Sequence, residues 1–143
     1  MAIQSSEIIT IGTELLLGQI LDTNSQYLAQ RLMETGIDVR YKTSVGDTID
    51  DIVEAIQIAI NRSDLIITTG GLGPTLDDLT RDAVARVAGV ELEFKEELLG
   101  QIKGIFDRIG YTMTENNKRQ ALIPEGSIPI PVSYTHLTLP TKA

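Results

Sequence analysis

The chain contains no cysteine, so neither a disulfide framework nor a thiolate zinc site is open to it. Long apolar runs are missing too. None approaches the roughly 20 residues that a membrane-spanning helix needs, and no basic segment precedes an apolar stretch as a secretory signal would require. Positive charge is scarce: 12 Lys and Arg stand against 20 Asp and Glu, for a formal net charge of −8. A duplex nucleic-acid binder needs a basic face, so nucleic acid is not an expected partner. With no membrane segment and no cysteine, the expected compartment is the cytoplasm. The single histidine, His136, lies in a C-terminal stretch without amphipathic pattern, and it is not read as a catalytic base.

What is present is one domain's worth of chain, 143 residues with 42% hydrophobic and 22% charged, a balance that can bury a core. Periodicity alternates along it. Glu7-Ile8-Ile9-Thr10-Ile11 and Asp64-Leu65-Ile66-Ile67-Thr68-Thr69 are short apolar runs ending at Gly12 and Gly70, as strands buried on both faces of a parallel sheet do. Ile37 to Ser44 alternates apolar and polar residues and predicts a half-exposed strand nearer an edge.

Helical stripes lie between these runs. Tyr27, Leu28, Arg31 and Leu32 follow the capping residues 22–25, with Gly36 as a stop. Ile49, Ile52, Val53, Ile56, Ala59 and Ile60 follow Asp47 and Thr48. Leu79, Ala83, Val84 and Val87 form a third stripe ending at Gly89, and Phe94 to Ile109 marks the longest helix. Gly100 and Gly104 within it predict close packing, because glycine costs a helix interior roughly 1 kcal/mol against alanine. Alternating strand and helix predict an α/β fold: a three-layer α/β/α sandwich around a mainly parallel, Rossmann-like sheet with right-handed crossovers. Residues 123–131 predict a turn leading to an edge strand. Residues 132–143, VSYTHLTLPTKA, are expected to be a non-native or unstructured end, which leaves the domain at residues 1–131.

The least ordinary stretch is IITTGGLGPTLDDLTRD, residues 66–82. A loop that follows a buried strand and opens a helix sits where open α/β sheets bind ligands. Gly70, Gly71 and Gly73 allow a sharp turn and bring backbone N–H groups close to phosphate oxygens. No Lys-Ser/Thr pair follows, so this is not a Walker A loop, and GxGxxG is absent. A simple turn remains an equally good reading of the glycines alone. Asp77 and Asp78 fall near the helix start, where carboxylates also cap free N–H groups. Beside a phosphate cradle, however, a carboxylate repels the ligand unless a cation lies between. That predicts a magnesium-like ion with oxygen ligands, waters and ligand phosphates in its shell. Asp47, after the second strand, would lie on the same rim. Glu14 leaves that edge after the first strand, and Asp22, Thr23 and Asn24 follow, where capping is the competing reading.

IGTELLLGQILDTNSQYLA, SVGDTIDDI, DLIITTGGLGPTLDDLTRDAVA and MTENNKRQALIPEG follow one another at natural spacing across residues 6–131. With them the chain resembles the molybdopterin-binding, MoaB/Mog-like domain, in the form found at the amino terminus of CinA competence/damage-inducible proteins. The resemblance implies functional acids at Asp78 and Asp47 and phosphate-wrapping glycines at Gly70, Gly71 and Gly73. It also implies a pterin or nucleotide ligand and a homo-oligomer in the full-length protein. CinA amino-terminal domains resemble enzymes that split ADP-ribose into AMP and ribose 5-phosphate with a divalent metal. The NMN deamidase activity of CinA proteins belongs to a carboxyl-terminal domain, and nothing here corresponds to it. After residues 128–131 the family continues with an asparagine and a Gly-Thr-Ala-Pro-Gly segment that helps close the pocket. This chain has VSYTHLTLPTKA instead.

The leading expectation is therefore metal-dependent hydrolysis of the pyrophosphate of a nucleoside diphosphate sugar such as ADP-ribose. Asp47 and Asp78 would hold Mg, Mn or Co, and the amides of Gly70, Gly71 and Gly73, beside Thr69, would hold one phosphate. Glu14 and Asn24 are candidates for orienting the nucleotide, and Lys118 with Arg119 for reaching a phosphate. Two alternatives stand beside it: a non-catalytic molybdopterin- or nucleotide-binding module of a larger CinA protein, and an inactive fragment.

Overall fold

The computed structural model of the chain describes residues 2–130, so the readings made for the tail after Ile130, His136 included, lie outside the described residues. The main sheet holds three parallel strands, Ser5–Ile11 (β1), Asp38–Val45 (β2) and Leu65–Thr69 (β3), in the order β2-β1-β3. Central β1 is buried along its whole length, as its apolar run predicts.

Side-chain alternation divides β1 between two layers. Ile9 and Ile11 pack with Ile52, Ala55, Ile56 and Ala59 of helix α3 (Ile49–Ile60) and Ala83 of helix α4 (Thr80–Ala88). On the opposite face, the Thr10 hydroxyl donates to Asp22 at 2.8 Å. Asp22 is the N-cap of helix α2 (Thr23–Glu34) and accepts from the Ser25 amide at 3.0 Å. The chain steps from β1 out to β2, then back across β1 to β3. Right-handed crossovers in opposite directions set α2 and α3 on opposite faces, which makes the sandwich.

Glu7 is fully buried in β1. Its carboxylate accepts from Arg62 Nε at 2.8 Å and Arg62 Nη2 at 3.0 Å, and from the Thr43 hydroxyl of β2 at 2.8 Å. The Arg62 guanidinium also lies 3.6 Å from the centre of the Tyr41 ring, so one buried acid ties edge strand β2 to the turn after α3. Burial alone would raise the Glu7 pKa; the Arg62 and Thr43 hydrogen bonds and the Arg62 charge outweigh it and hold the pKa below its ordinary value.

The remaining described residues form a smaller unit. Strands β4 (Leu92–Phe94) and β5 (Leu122–Pro124) pair antiparallel, with helix α5 (Glu96–Ile109) and a 3₁₀ segment (Glu115–Ala121) between them. Several expectations change here. Phe94 closes β4 rather than opening α5, because Lys95 is extended and the helix begins at Glu96. Among the described residues, Gly100 and Gly104 are not close-packing positions: a Cβ at either would meet no atom outside its own stretch of helix backbone within 4 Å. The edge strand precedes its turn instead of following it, since Leu122–Pro124 is the segment that pairs and Gly126 then turns with φ 84°. Proline at position 129 removes a ladder donor from the stretch expected to be the strand. β3 is half-buried throughout rather than fully buried, because among the described residues it pairs only with β1. Among the described residues, no helix is long and apolar enough to cross a membrane.

Candidate ligand site at the carboxyl rim

Parallel pairing sends the carboxyl ends of β1, β2 and β3 to one rim. Gly12 follows β1, Asp47 stands two residues past β2 and Gly70 follows β3 directly. Neighbouring strands are about 4.8 Å apart, so loops on either side of β1 are separated by roughly 10 Å. The expected acids therefore come from loops at one edge of the molecule. Among the described residues, no group of three or more histidine or acidic side chains is assembled to hold a metal.

Asp47 is held in a reciprocal exchange. Its Oδ2 accepts from the Thr13 amide at 3.2 Å, and its own amide donates to the Thr13 hydroxyl at 3.1 Å. Thr13 opens a single helical turn, α1 (Thr13–Leu16). Glu14, in that turn, folds back so that a Cβ on Gly12 would lie 2.9 Å from its Oε1. Across the rim, the Asn24 side-chain amide donates to the Thr69 hydroxyl at 3.4 Å. One pair from the candidate set is thus linked, Asn24 to Thr69 at the end of β3, while Asp47 is tied to Thr13 of the α1 turn.

The glycine loop is folded against the first turn of α4. Gly70 and Gly71 have φ 94° and 66°, a region that costs a side chain dearly. A Cβ would lie 2.1 Å from the Ile11 carbonyl oxygen at Gly70 and 2.2 Å from the Thr80 hydroxyl at Gly71. At Gly73 it would lie 2.6 Å from Asp78 Oδ2. Gly70 and Gly71 are thus held to glycine by backbone conformation as well as by a close neighbour, while Gly73 meets only the Asp78 side chain.

Four consecutive loop carbonyls then accept from two consecutive residues. The Thr80 hydroxyl donates to Gly70 O at 2.7 Å and the Thr80 amide to Gly71 O at 3.1 Å. Arg81 donates through Nη2 to Leu72 O and through Nη1 to Gly73 O, the latter at 3.2 Å. In a trans peptide the N–H points opposite to the carbonyl, so the amides of Gly71, Leu72 and Gly73 face away from α4. The Gly73 amide reaches the Asp78 carboxylate. Among the described residues, the amides of Gly71 and Leu72 have no protein acceptor. Two adjacent N–H groups facing outward from a turn are the elements of an anion nest.

Asp78 itself closes the turn, accepting at Oδ2 from the Thr75 amide at 2.9 Å and the Thr75 hydroxyl at 2.8 Å. Burial pushes its pKa up. The bonds from Thr75, the Gly73 amide and the charge of Arg81 overcome that push, so it stays below the ordinary carboxylate value. Burial lowers the Arg81 pKa, and Arg119 adds to the lowering while Asp78 and Asp82 oppose it.

Lys118 does not extend toward the loop. It lies in the 3₁₀ segment with its ammonium 2.8 Å from Glu115. Its neighbour Arg119 is the one that turns to α4, approaching Asp82 at 3.7 Å. Sequence reading passed over Arg81 and Thr80. The available signal was their position at the first turn of the helix that the glycine loop opens.

With this geometry in view, the family described as "Probable molybdopterin binding domain" matches residues 7–140. The "Putative competence-damage inducible protein" of Caldicellulosiruptor bescii is 54% identical over 122 residues, covering 85% of this chain and 30% of that protein. Its namesake in Halothermothrix orenii is 52% identical over 125 residues, again 30% of its length. The chain thus spans about 30% of the length of these curated relatives. The CinA protein of Thermoplasma acidophilum superposes with a TM-score of 0.80 at 34% identity, over 90% of this chain and 75% of that one. A MogA structure matches at 0.55 and 25% identity, over 72% and 66%.

Proposed function

This chain belongs to the molybdopterin-binding domain family, and from that premise we propose that it binds a phosphorylated pterin or nucleotide at the carboxyl rim. The outward amides of Gly71 and Leu72 carry the reading, since among the described residues both lack a protein acceptor and they sit at the end of a parallel strand. They would take phosphate oxygens, while Thr69 and Asn24, already in contact, would border the ligand. Glu14 lies over the end of β1 and would meet the ligand's organic part. Lys118 enters only by exchanging Glu115 for a phosphate.

A second reading, metal-dependent hydrolysis of a diphosphate such as ADP-ribose, is supported by the two acids of the rim. A magnesium-like ion uses one or two carboxylates and completes its shell with water and ligand phosphates, and Asp47 and Asp78 are the acids this rim offers to that chemistry. Asp47 and Asp78 would hold Mg, Mn or Co. The ion would supply charge neutralisation and polarise phosphoryl oxygens. Asp78 is kept ionised by Thr75 and the Gly73 amide, and Asp47 is fixed by Thr13. A homo-oligomer is the assembly proposed for the full-length protein.

Incubating the chain with ADP-ribose and Mg²⁺, Mn²⁺ or Co²⁺ separates the readings, with AMP and ribose 5-phosphate as the products to detect. Cleavage that disappears in Asp78→Asn supports the enzyme. Tight binding without products supports a binding module. Absence of binding to any phosphorylated nucleotide or pterin removes both.

A further inference from the structure

The carbonyl side of the glycine loop carries an inference that rests on the binding reading and goes beyond it. We propose that Arg81 is a positioning residue that steadies the anion nest by holding the two carbonyls that follow it, Leu72 O and Gly73 O. Its guanidinium reaches Leu72 O and Gly73 O together, next to the two bonds that Thr80 makes to Gly70 and Gly71. Each captured carbonyl fixes the plane of its peptide, and so aims the N–H on the far side. Thr80 therefore orients the amides of Gly71 and Leu72, and Arg81 holds the two peptides that follow, Leu72–Gly73, whose amide meets Asp78, and Gly73–Pro74, so that the far flank of the nest is fixed.

Glycines make this brace necessary. Gly71 and Gly73 adopt many conformations, and a peptide between flexible residues can rotate its N–H inward unless its carbonyl is held. A planar fork with several donors can hold two neighbouring carbonyls; a lysine ammonium offers the same charge without that geometry. Charge adds a second argument. Arg81 lies beside Asp78 and near Asp82 and Arg119, so part of its field is neutralised before it reaches the nest. Direct attraction of an anion is thus the lesser contribution, and the hold on the backbone the greater.

Arg81→Lys, Arg81→Gln and the surface control Arg86→Lys test this in the full chain by two measurements. ¹⁵N relaxation reads the order of the loop amides without ligand. Calorimetric titration reads the affinity for Mg²⁺–ADP-ribose, and for adenosine as a probe lacking phosphate. Expected is increased mobility confined to residues 70–74 in both Arg81 variants, and affinity for Mg²⁺–ADP-ribose falling roughly tenfold, about the loss of one charge-assisted hydrogen bond. Arg81→Lys should fall with Arg81→Gln, while Arg86→Lys keeps the parent values. Any response to adenosine should be unchanged in all variants. If Arg81→Lys keeps the loop rigid, the brace is refuted whether or not ligand binds. If the parent chain binds no ADP-ribose but its loop loosens in Arg81→Lys, the binding reading fails while the brace stands. A global loss of amide dispersion in both Arg81 variants would instead assign Arg81 to folding and overturn the positioning role.

Discussion

Glu7 shows how one buried residue governs a distant edge. Its carboxylate is satisfied by Arg62 and Thr43 in the sheet interior, and removing a single partner leaves a buried charge uncompensated. Arg62→Ala is expected to destabilise the fold by about 3 kcal/mol in chemical denaturation. The sign of the pH effect follows from the lowered folded pKa. The pair's contribution is complete above the ordinary glutamate value of 4.5 and is lost as pH falls through the folded value. The stability difference between the parent and Glu7→Gln should therefore shrink below pH 4.5; a difference independent of pH would exclude the linkage. At the rim, Gly71→Ala should both destabilise the loop and weaken ligand binding, because the added methyl would meet the Thr80 hydroxyl. Alanine tolerated there without cost would mean that the loop can leave the Thr80 bond.

At the scale of elements, α3 carries the core and α5 does not. Ile52 is fully buried between β1 and α4, and Ile52→Ala should cost about 3 kcal/mol by urea unfolding. In α5 the opposite holds: among the described residues a Cβ at Gly100 or Gly104 meets no neighbour, so alanine at each should raise stability by about 0.5–1 kcal/mol through helix propensity. Loss of stability at either site would restore the close-packing role that their spacing suggested. The elements differ in how readable they are for the same reason. The apolar run of β1 and the stripe of α3 report burial directly, whereas that of β3 marks the strand but overstates its burial. The glycines of α5, the extended Lys95 and the pairing of Leu122 with Phe94 depend on neighbours brought close only by the fold. Pro129 is local information against a strand there, since it removes a ladder donor.

At the scale of the whole molecule, order β2-β1-β3 brings three loops to one rim, and the sequence shows this through strand ends alone. Gly12, Asp47 and Gly70 each follow a strand, so their convergence is legible once the sheet is taken as parallel. The orientation of the loop peptides is not. It arises from Thr80 and Arg81 capturing four carbonyls, and no residue pattern announces a captured carbonyl. Lys118 illustrates the converse, since its charge suggested a phosphate partner and the 3₁₀ turn gives it Glu115.

The central claim is that the Gly71–Leu72 amides are the anchor of a phosphorylated ligand at this rim. Following every backbone amide by NMR while ADP-ribose and Mg²⁺ are added tests it most directly. The account predicts the largest, saturable shifts at Gly71 and Leu72, with smaller ones near Asp47 and Asn24. Saturable shifts centred on another surface, with those two amides unmoved, would contradict it.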